Sequence, residues 1–346
     1  MLSYRSSIDY PLLINCFHYT FADIKNQEMF KLSPLKILPL SRNILLSDHI
    51  CTIINILFKK MRSCIVNKKL GLIGLGNMGS MILDQLLQIG ILNEGNLYIA
   101  NRSVSKTNSF AEKYPSINVC DSNVEVARNC NRIIICVEPV NVPKVLLEIK
   151  PYLDKDSYLM ISTCTVAYED LYKIFTGKIT KFMPTLNSSV RGGITLVCHN
   201  EIVTDNDKKF FEGLMSNISE VNIIPEEDVN LCHNLTGSLP AIISEIMFEF
   251  VRAASKHSIN MTAEEIEHMT MVSLLGTSRL LAEKNMKFED TINKVSTKGG
   301  ITYEGIKIYQ KKLPAIFEEA FDVTIKKYDD ITNNVRRIID EAVSNK

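Results

Sequence analysis

The chain has 346 residues, 46% of them hydrophobic and 23% charged, with 39 Lys and Arg balancing 39 Asp and Glu. That length accommodates two domains, or one domain and a long extension. A neutral chain gives no electrostatic basis for binding nucleic acid or an acidic membrane surface, so the partners to look for are a small molecule and a second copy of the chain.

Nine cysteines are scattered without a Cys-x-x-Cys pair, and structural zinc sites and redox motifs need such close pairs. No metal is expected, and the thiols read as reduced side chains in a cytoplasmic protein. Residues 1–60 carry no sustained helical or strand period. Their most apolar part, Ile44 to Phe58, is interrupted by Ser47, Asp48 and His49, which is too short and polar for a membrane span. No positive start, apolar stretch and small-residue cleavage site mark a secretory signal. Residues 1–67 therefore read as an extension without a catalytic role, in keeping with a start site placed too early; a docking helix over Leu45–Phe58 is the alternative.

From residue 68 the pattern is clear. Leu70 to Gly74 is an apolar run suited to a buried parallel strand, and it leads into Gly74-x-Gly76-x-x-Gly79 and an apolar helix. Gly74 allows a tight turn, Gly76 admits a pyrophosphate against the backbone, and Gly79 lets helix and strand pack closely. The helix start, through the amides of Asn77, Met78 and Gly79, offers N–H groups and a positive dipole end to phosphate. Strand, glycine loop and helix together distinguish a dinucleotide site from a chance glycine triplet.

The next strand, Asn96 to Ala100, ends in Asn101-Arg102-Ser103. An NAD site usually has an acid here for the ribose 2′-hydroxyl. Arg102 with Ser103 instead suits a 2′-phosphate, so NADP(H) is preferred and NAD(H) possible; the plainer reading makes Arg102 a solvated loop charge. Further strands are expected at Asn118–Asn123, Arg132–Val137, Tyr158–Ser162, Lys178–Met183 and Ile194–Cys198. Ligands of doubly wound sheets lie beyond the carboxyl ends of the strands, which makes Asn123, Val137 and Pro139 candidate cofactor neighbours.

Beyond Pro225 the pattern turns to long helices, Asp228 to about Lys256, Thr262 to Asn285 and Leu313 to about Ser344, with Thr262 and Glu265 as a capping box. The expected fold is an α/β Rossmann domain over 68–224, with a doubly wound, mostly parallel sheet, followed by an all-α dimerisation domain over 225–346. A compact monomeric bundle is the alternative for the helices. Thr297-Lys298-Gly299-Gly300 and Thr236-Gly237-Ser238 each precede a helical pattern as an anion nest would, although such residues often do no more than cap.

The order Gly74–Gly79, Val137-Glu138-Pro139, Met183-Pro184, Thr236 to Ala241 and Lys298-Gly299-Gly300-Ile301-Thr302 resembles pyrroline-5-carboxylate reductases over about residues 68–335. The Gly-Gly-x-Thr segment resembles most a divergent branch, the ComER-type late competence proteins of Gram-positive bacteria. The resemblance implies NAD(P)H-dependent reduction of the cyclic imine 1-pyrroline-5-carboxylate to L-proline, at an active site on the interface of a homodimer or higher homo-oligomer. It further implies that Thr297, Gly299, Gly300 and Ser238 hold the substrate, and that Thr302 is catalytic through a hydrogen bond to the ring nitrogen. The chain departs from the family at Thr185-Leu186-Asn187 for Asn-Thr-Pro, at Leu239 and Lys298 for glycine and proline, and at Glu138 for lysine.

Two other readings stand beside this one. A β-hydroxyacid dehydrogenase shares the glycine loop but requires a Lys and Asn on a helix of the second domain, and the helix from Asp228 lacks them. A cofactor-binding, competence-related paralogue without efficient proline synthesis would account for the departures.

Overall fold

A computed structural model describes residues 68–344; the extension and the alternative helix over Leu45–Phe58 lie outside the described residues. Eight strands form one sheet: β1 (Leu70–Ile73), β2 (Leu97–Ala100), β3 (Asn118–Val119), β4 (Arg132–Ile135), β5 (Tyr158–Ser162), β6 (Lys178–Pro184), β7 (Gly193–His199) and β8 (Ser219–Ile223). Their order is β3-β2-β1-β4-β5-β6-β7-β8. All neighbours run parallel except β6 and β7. The central strands β1, β4 and β5 are mostly apolar because helices cover both of their faces.

On one face, α1 (Asn77–Gln88) and α6 (Asp205–Met215) bring Ile82, Leu83, Leu86, Phe211 and Leu214 against Leu72, Ile134 and Phe182. On the other, α3 (Asn123–Asn129), α4 (Val142–Ile149) and α5 (Tyr168–Tyr172) bring Val126, Leu146 and Leu171 against Ile73, Ile133 and Ile161. The remaining helix of this layer, α2 (Val104–Lys113), follows β2. Strand order reverses between β1 and β4, so the ligand crevice lies at the carboxyl ends of those strands.

Several local expectations are corrected. The strand expected over Asn118–Asn123 is two residues long, because Ser122 already caps α3 by accepting from the Glu125 amide at 3.2 Å. The edge strand β8 was not foreseen: its sequence mixes Glu220 and Asn222 with apolar residues, as an edge permits. The helix expected from Asp228 comprises α7 (Val229–His233), a π turn over Asn234–Ser238 and α8 (Leu239–Ser255), joined without leaving helical backbone. The capping box is present, Thr262 accepting from the Glu265 amide at the head of α9 (Ala263–Glu283). After α10 (Phe288–Val295), α11 runs unbroken from Ile301 to Ser344. It begins well before Leu313 because Gly305 and Pro314, which weaken a helix, are accommodated within it.

Only the end of α11 rests on the sheet. Val335 and Ile339 are buried in the core beside α4 and α5. The Tyr328 hydroxyl donates to the Cys164 carbonyl at 2.8 Å. Arg336 Nε lies 3.2 and 3.1 Å from the two oxygens of Asp170, which is 1% exposed, while Lys173 bridges Asp170 and Asp340 at 2.8 Å each. Between positions 235 and 334, Ile266 is the only buried residue. These helices hold no core of their own within one chain.

A second ionic clamp binds the sheet to α6. Asp207 accepts from Arg132 at 2.9 Å, Lys178 at 3.0 Å and Thr204 at 2.8 Å. Burial opposes its charge, but the bonds from Lys178, Thr204 and Arg132 prevail and hold its carboxyl below the usual range. A carboxyl lowered by folding stabilises the fold above its unfolded pKa, about 3.9, and loses that contribution as pH falls through the folded value. Asp207→Ala is expected to cost about 2 kcal/mol at neutral pH by leaving two half-buried cations without their shared carboxylate. Urea unfolding should show this loss shrinking as the pH of the titration is taken below about 4.

Candidate cofactor and substrate sites

The crevice begins where β1 ends. Gly74 has φ +102°, and a Cβ there would lie 2.3 Å from the Cys136 carbonyl oxygen; a Cβ on Gly79 would lie 2.1 Å from the Gly74 carbonyl oxygen. Both positions are closed to any side chain. Gly76 differs, since a Cβ on it meets nothing within 4 Å. Open space above its backbone is what close approach of a pyrophosphate requires. Gly76 also caps α1 without a side-chain bond, and no acid stands in the first turn. The amides of Asn77, Met78 and Gly79 therefore face the opening with no competing acceptor. The loop fits a dinucleotide.

Asn101 fixes the neighbouring loop. Its Oδ1 accepts from the Leu75 amide at 3.0 Å and its Nδ2 donates to the Ser103 carbonyl at 3.1 Å, so it joins the end of β2 to the glycine loop. Arg102 is exposed and has no ion pair among the described residues, and the Ser103 hydroxyl lies 2.9 Å from that of Ser105. These groups are available to an anion at the β2 end. Asn123, the first residue of α3, donates to Glu148 at 2.8 Å, which ties α3 to α4.

At the end of β4, a Cβ on Gly74 would meet Val137 Cγ1 at 3.0 Å, placing Val137 directly beside the loop. Pro139 follows at the head of a short 3-10 turn. Burial pushes the Cys136 thiol up to about 12, a hydrogen bond with Ser162 offsetting only part of this. It is a neutral packing group, with no thiolate chemistry to offer.

Beyond β6, Thr185 is buried and its hydroxyl, with that of Ser188, crowds Gly193, where a Cβ would lie 2.5 and 2.6 Å from them. The turn Leu186–Val190 packs on α1, and Leu186 is 67% exposed. Sequence reading did not single out Ser162, Thr163, Thr165 or Ser188, because isolated hydroxyls leave no pattern.

The helical segment holds the remaining candidates. Gly299 has φ +84°, Gly300 donates to the Thr297 carbonyl at 2.9 Å, and α11 starts at Ile301. This is a glycine turn heading a long helix, as an anion nest requires. Thr302 lines an apolar groove with Leu281, Phe288, Ile292, Val295 and Ile306 from α9, α10 and α11. Among the described residues, no hydrogen bond or ion pair links this turn to the glycine loop at Gly74–Gly79.

The reading of Thr236–Ser238 as a helix-opening nest is corrected. These residues lie inside continuous helix, and Thr236 bonds back to the Cys232 carbonyl at 2.9 Å. A Cβ on Gly237 would strike the His233 ring at 2.5 Å. Glycine there leaves room for an imidazole whose pKa burial lowers, and Ser238 follows it, half-buried.

Residues 69–164 match the family model for NADP oxidoreductase, coenzyme F420-dependent, and residues 226–331 that for pyrroline-5-carboxylate reductase dimerisation. Pyrroline-5-carboxylate reductase 3 of Bacillus subtilis is 33% identical over 269 residues, covering 78% of this chain and 98% of the relative. ComE operon protein 4 of the same organism is 27% identical with the same coverage of each. A solved pyrroline-5-carboxylate reductase from Coxiella burnetii superposes with a TM-score of 0.69 at 26% identity, covering 77% of this chain and 98% of that one. With both of its parts matched, and nearly the whole of a relative at this identity, the chain belongs to the pyrroline-5-carboxylate reductase family.

Proposed function

We propose that the chain reduces 1-pyrroline-5-carboxylate to L-proline with NADPH, in the cytoplasm, as a homodimer or higher homo-oligomer joined through its C-terminal helices. Residues 68–224 serve as the cofactor domain and 225–346 as the substrate and dimerisation domain. The observation that carries this reading is the pairing, in one chain, of an open glycine cradle at Gly76 with a Gly-Gly turn heading α11, along nearly the full length of relatives named for this reaction.

The nicotinamide, when bound, supplies the hydride. The chain's part is to hold and to orient. Amides of Gly76, Asn77, Met78 and Gly79 face the pyrophosphate, while Gly74 makes the turn with its own amide bonded to the Ala100 carbonyl, and Arg102 with Ser103 takes the 2′-phosphate. Asn101 holds that loop in place, while Asn123, Val137 and Pro139 border the crevice. The amides of Gly299 and Gly300, with Thr297 and Ser238, hold the substrate carboxylate. Thr302 hydrogen-bonds the ring nitrogen, which keeps its proton as the adjacent carbon is reduced. A protonated imine is already electrophilic, so positioning supplies most of the acceleration.

The helix geometry supports a site shared between chains. Tyr328 meets Cys164 at the end of β5, and Thr302 stands 26 residues earlier on the same helix, about 40 Å away along its axis. Thr302 of one chain therefore serves the crevice of another. The exposed apolar side chains of α8 to α11, Phe248, Leu275, Ile301 and Ile308 among them, form the kind of surface that a second copy covers.

NADPH oxidation should depend on added pyrroline-5-carboxylate, and the gene should restore growth to a proline auxotroph. NADPH binding without turnover or growth would instead identify a paralogue that keeps the cofactor and has lost the reaction. Thr302→Ala should lower kcat on the order of 100-fold with unchanged NADPH affinity in a fluorescence titration; an undiminished rate removes Thr302 from the mechanism. Gly76→Val should leave the melting temperature close to that of the parent while weakening NADPH binding at least about tenfold, since its side chain fills cofactor space and no protein space. Arg102→Ala should weaken NADPH about tenfold and leave NADH unchanged; equal losses for both would make Arg102 a solvated loop charge.

A further inference from the structure

The docked end of α11 carries an apolar stripe that fits the sheet in more than one register. Ile331, Val335, Ile339 and Val343 follow one another at intervals of four and so share one side of the helix. Val335 and Ile339 are buried in the core, and Ile331 packs against it. A slip of one turn, about 5.4 Å, puts Ile339 in the place of Val335 and Val343 in that of Ile339. Apolar contact has no direction and tolerates such exchanges of similar side chains.

The charges beside the stripe do not tolerate them. Asp170 is 1% exposed, and its helix α5 is itself fixed on the sheet, the Tyr168 hydroxyl donating to the Cys198 carbonyl at 2.5 Å and the Tyr168 amide to Glu226 at 2.9 Å. Arg336 Nε reaches both oxygens of Asp170, at 3.2 and 3.1 Å, and Asp340 accepts from Lys173 at 2.8 Å. Arg336 and Asp340 are also four residues apart, with opposite signs. A slip in one direction brings Asp340 to the place of Arg336, against Asp170. A slip in the other brings Arg336 to the place of Asp340, against Lys173, and leaves Thr332 facing Asp170. Each wrong register therefore sets like charges together, and the first does so at a carboxylate out of water.

The far end of the helix inherits the register. On the reading that the chain reduces a cyclic imine, on which this inference rests, Thr302 meets the ring nitrogen. Thr302 stands 34 residues before Arg336 on the same unbroken helix, so a one-turn slip at the anchor moves it by the same distance. Reacting groups must be held within about 3.5 Å of one another, and a displacement larger than that takes Thr302 out of the site. We propose that Asp170 and Arg336 are positioning residues for imine reduction: their pairing selects one of the registers that the apolar stripe permits, and so fixes where Thr302 meets the crevice of the neighbouring chain.

The full-length chain tests this in two ways. Nitroxide labels on unnatural residues at Lys106 of α2 and Lys311 of α11, both exposed, report the register without any ligand when the labelled chain is diluted into unlabelled chain. The parent and Ile339→Ala should each give one distance, and Arg336→Ala a second one displaced by up to about 5 Å. In assays with NADPH and pyrroline-5-carboxylate, Arg336→Ala should lower kcat/KM for the imine at least about tenfold and keep the parent Kd for NADPH, while Arg336→Lys, which keeps the charge, recovers most of the loss. Ile339→Ala, or Ile339→Val should the alanine variant not fold, should lower the melting temperature and keep the parent kcat/KM. A single distance in Arg336→Ala, parent kinetics in that variant, or an equal loss of turnover in the Ile339 variant would each overturn the proposal. A parent chain that binds NADPH and does not reduce the imine would show that the reductase reading itself has failed, and the labels would still decide whether the ion pair sets the register.

Discussion

The docking of one end of α11 governs the rest of the molecule. Val335 and Ile339 close the face of the sheet that α3, α4 and α5 leave open, and their burial drives the attachment. Arg336 and Lys173 then converge on Asp170 from two sides. A helix of 44 residues spans about 66 Å, far more than the α/β layer can support. Anchoring its last turns therefore sends its first turns away from the sheet, and α9 and α10 go with them. The lack of a core between positions 235 and 334 follows from that attachment.

Charge at this junction sets geometry more than it adds stability. Asp170 is buried and answered by both Arg336 and Lys173; Lys181, equally buried, is answered by Glu226, which also accepts from the Tyr168 amide at 2.9 Å. Burying ions costs several kcal/mol each before pairing restores it, so apolar residues would hold these surfaces together at least as well. Apolar contacts tolerate sliding by a helical turn, whereas a carboxylate bonded from two directions does not. For a helix that carries Thr302 about 40 Å from its anchor, a small rotation at Asp170 becomes a large displacement at the far end. Fixed register at the anchor keeps that far end in one place.

How much of this could be read from the sequence depends on the range of the interaction. The glycine loop, the buried strands and the Thr262–Glu265 capping box are set by residues within a few positions of one another, and local pattern displayed them. The edge strand β8 escaped because its half-exposed pairing leaves no apolar run. The first turns of α11 escaped because Gly305 and Pro314 speak locally against a helix that tertiary context permits. Asn101 was read as a cofactor neighbour; its two backbone bonds add that it braces the glycine loop. The unpartnered hydroxyls of Thr163 and Thr165 have no sequence signature, since only the packing around them shows that nothing answers them.

The departures from the family pattern divide by what surrounds them. Thr185 packs its hydroxyl over Gly193. It belongs to the packing of a local turn. Leu186 and Leu239 have no such cover, being 67% and 41% exposed. A large apolar side chain left in water contributes little to the fold of one chain. Leu239 opens the helix that follows the π turn, and Leu186 sits on the turn that packs against α1, next to the cofactor loop. Burial by a second chain would give both a purpose. These two altered residues thus lie outside the glycine loop at Gly74–Gly79.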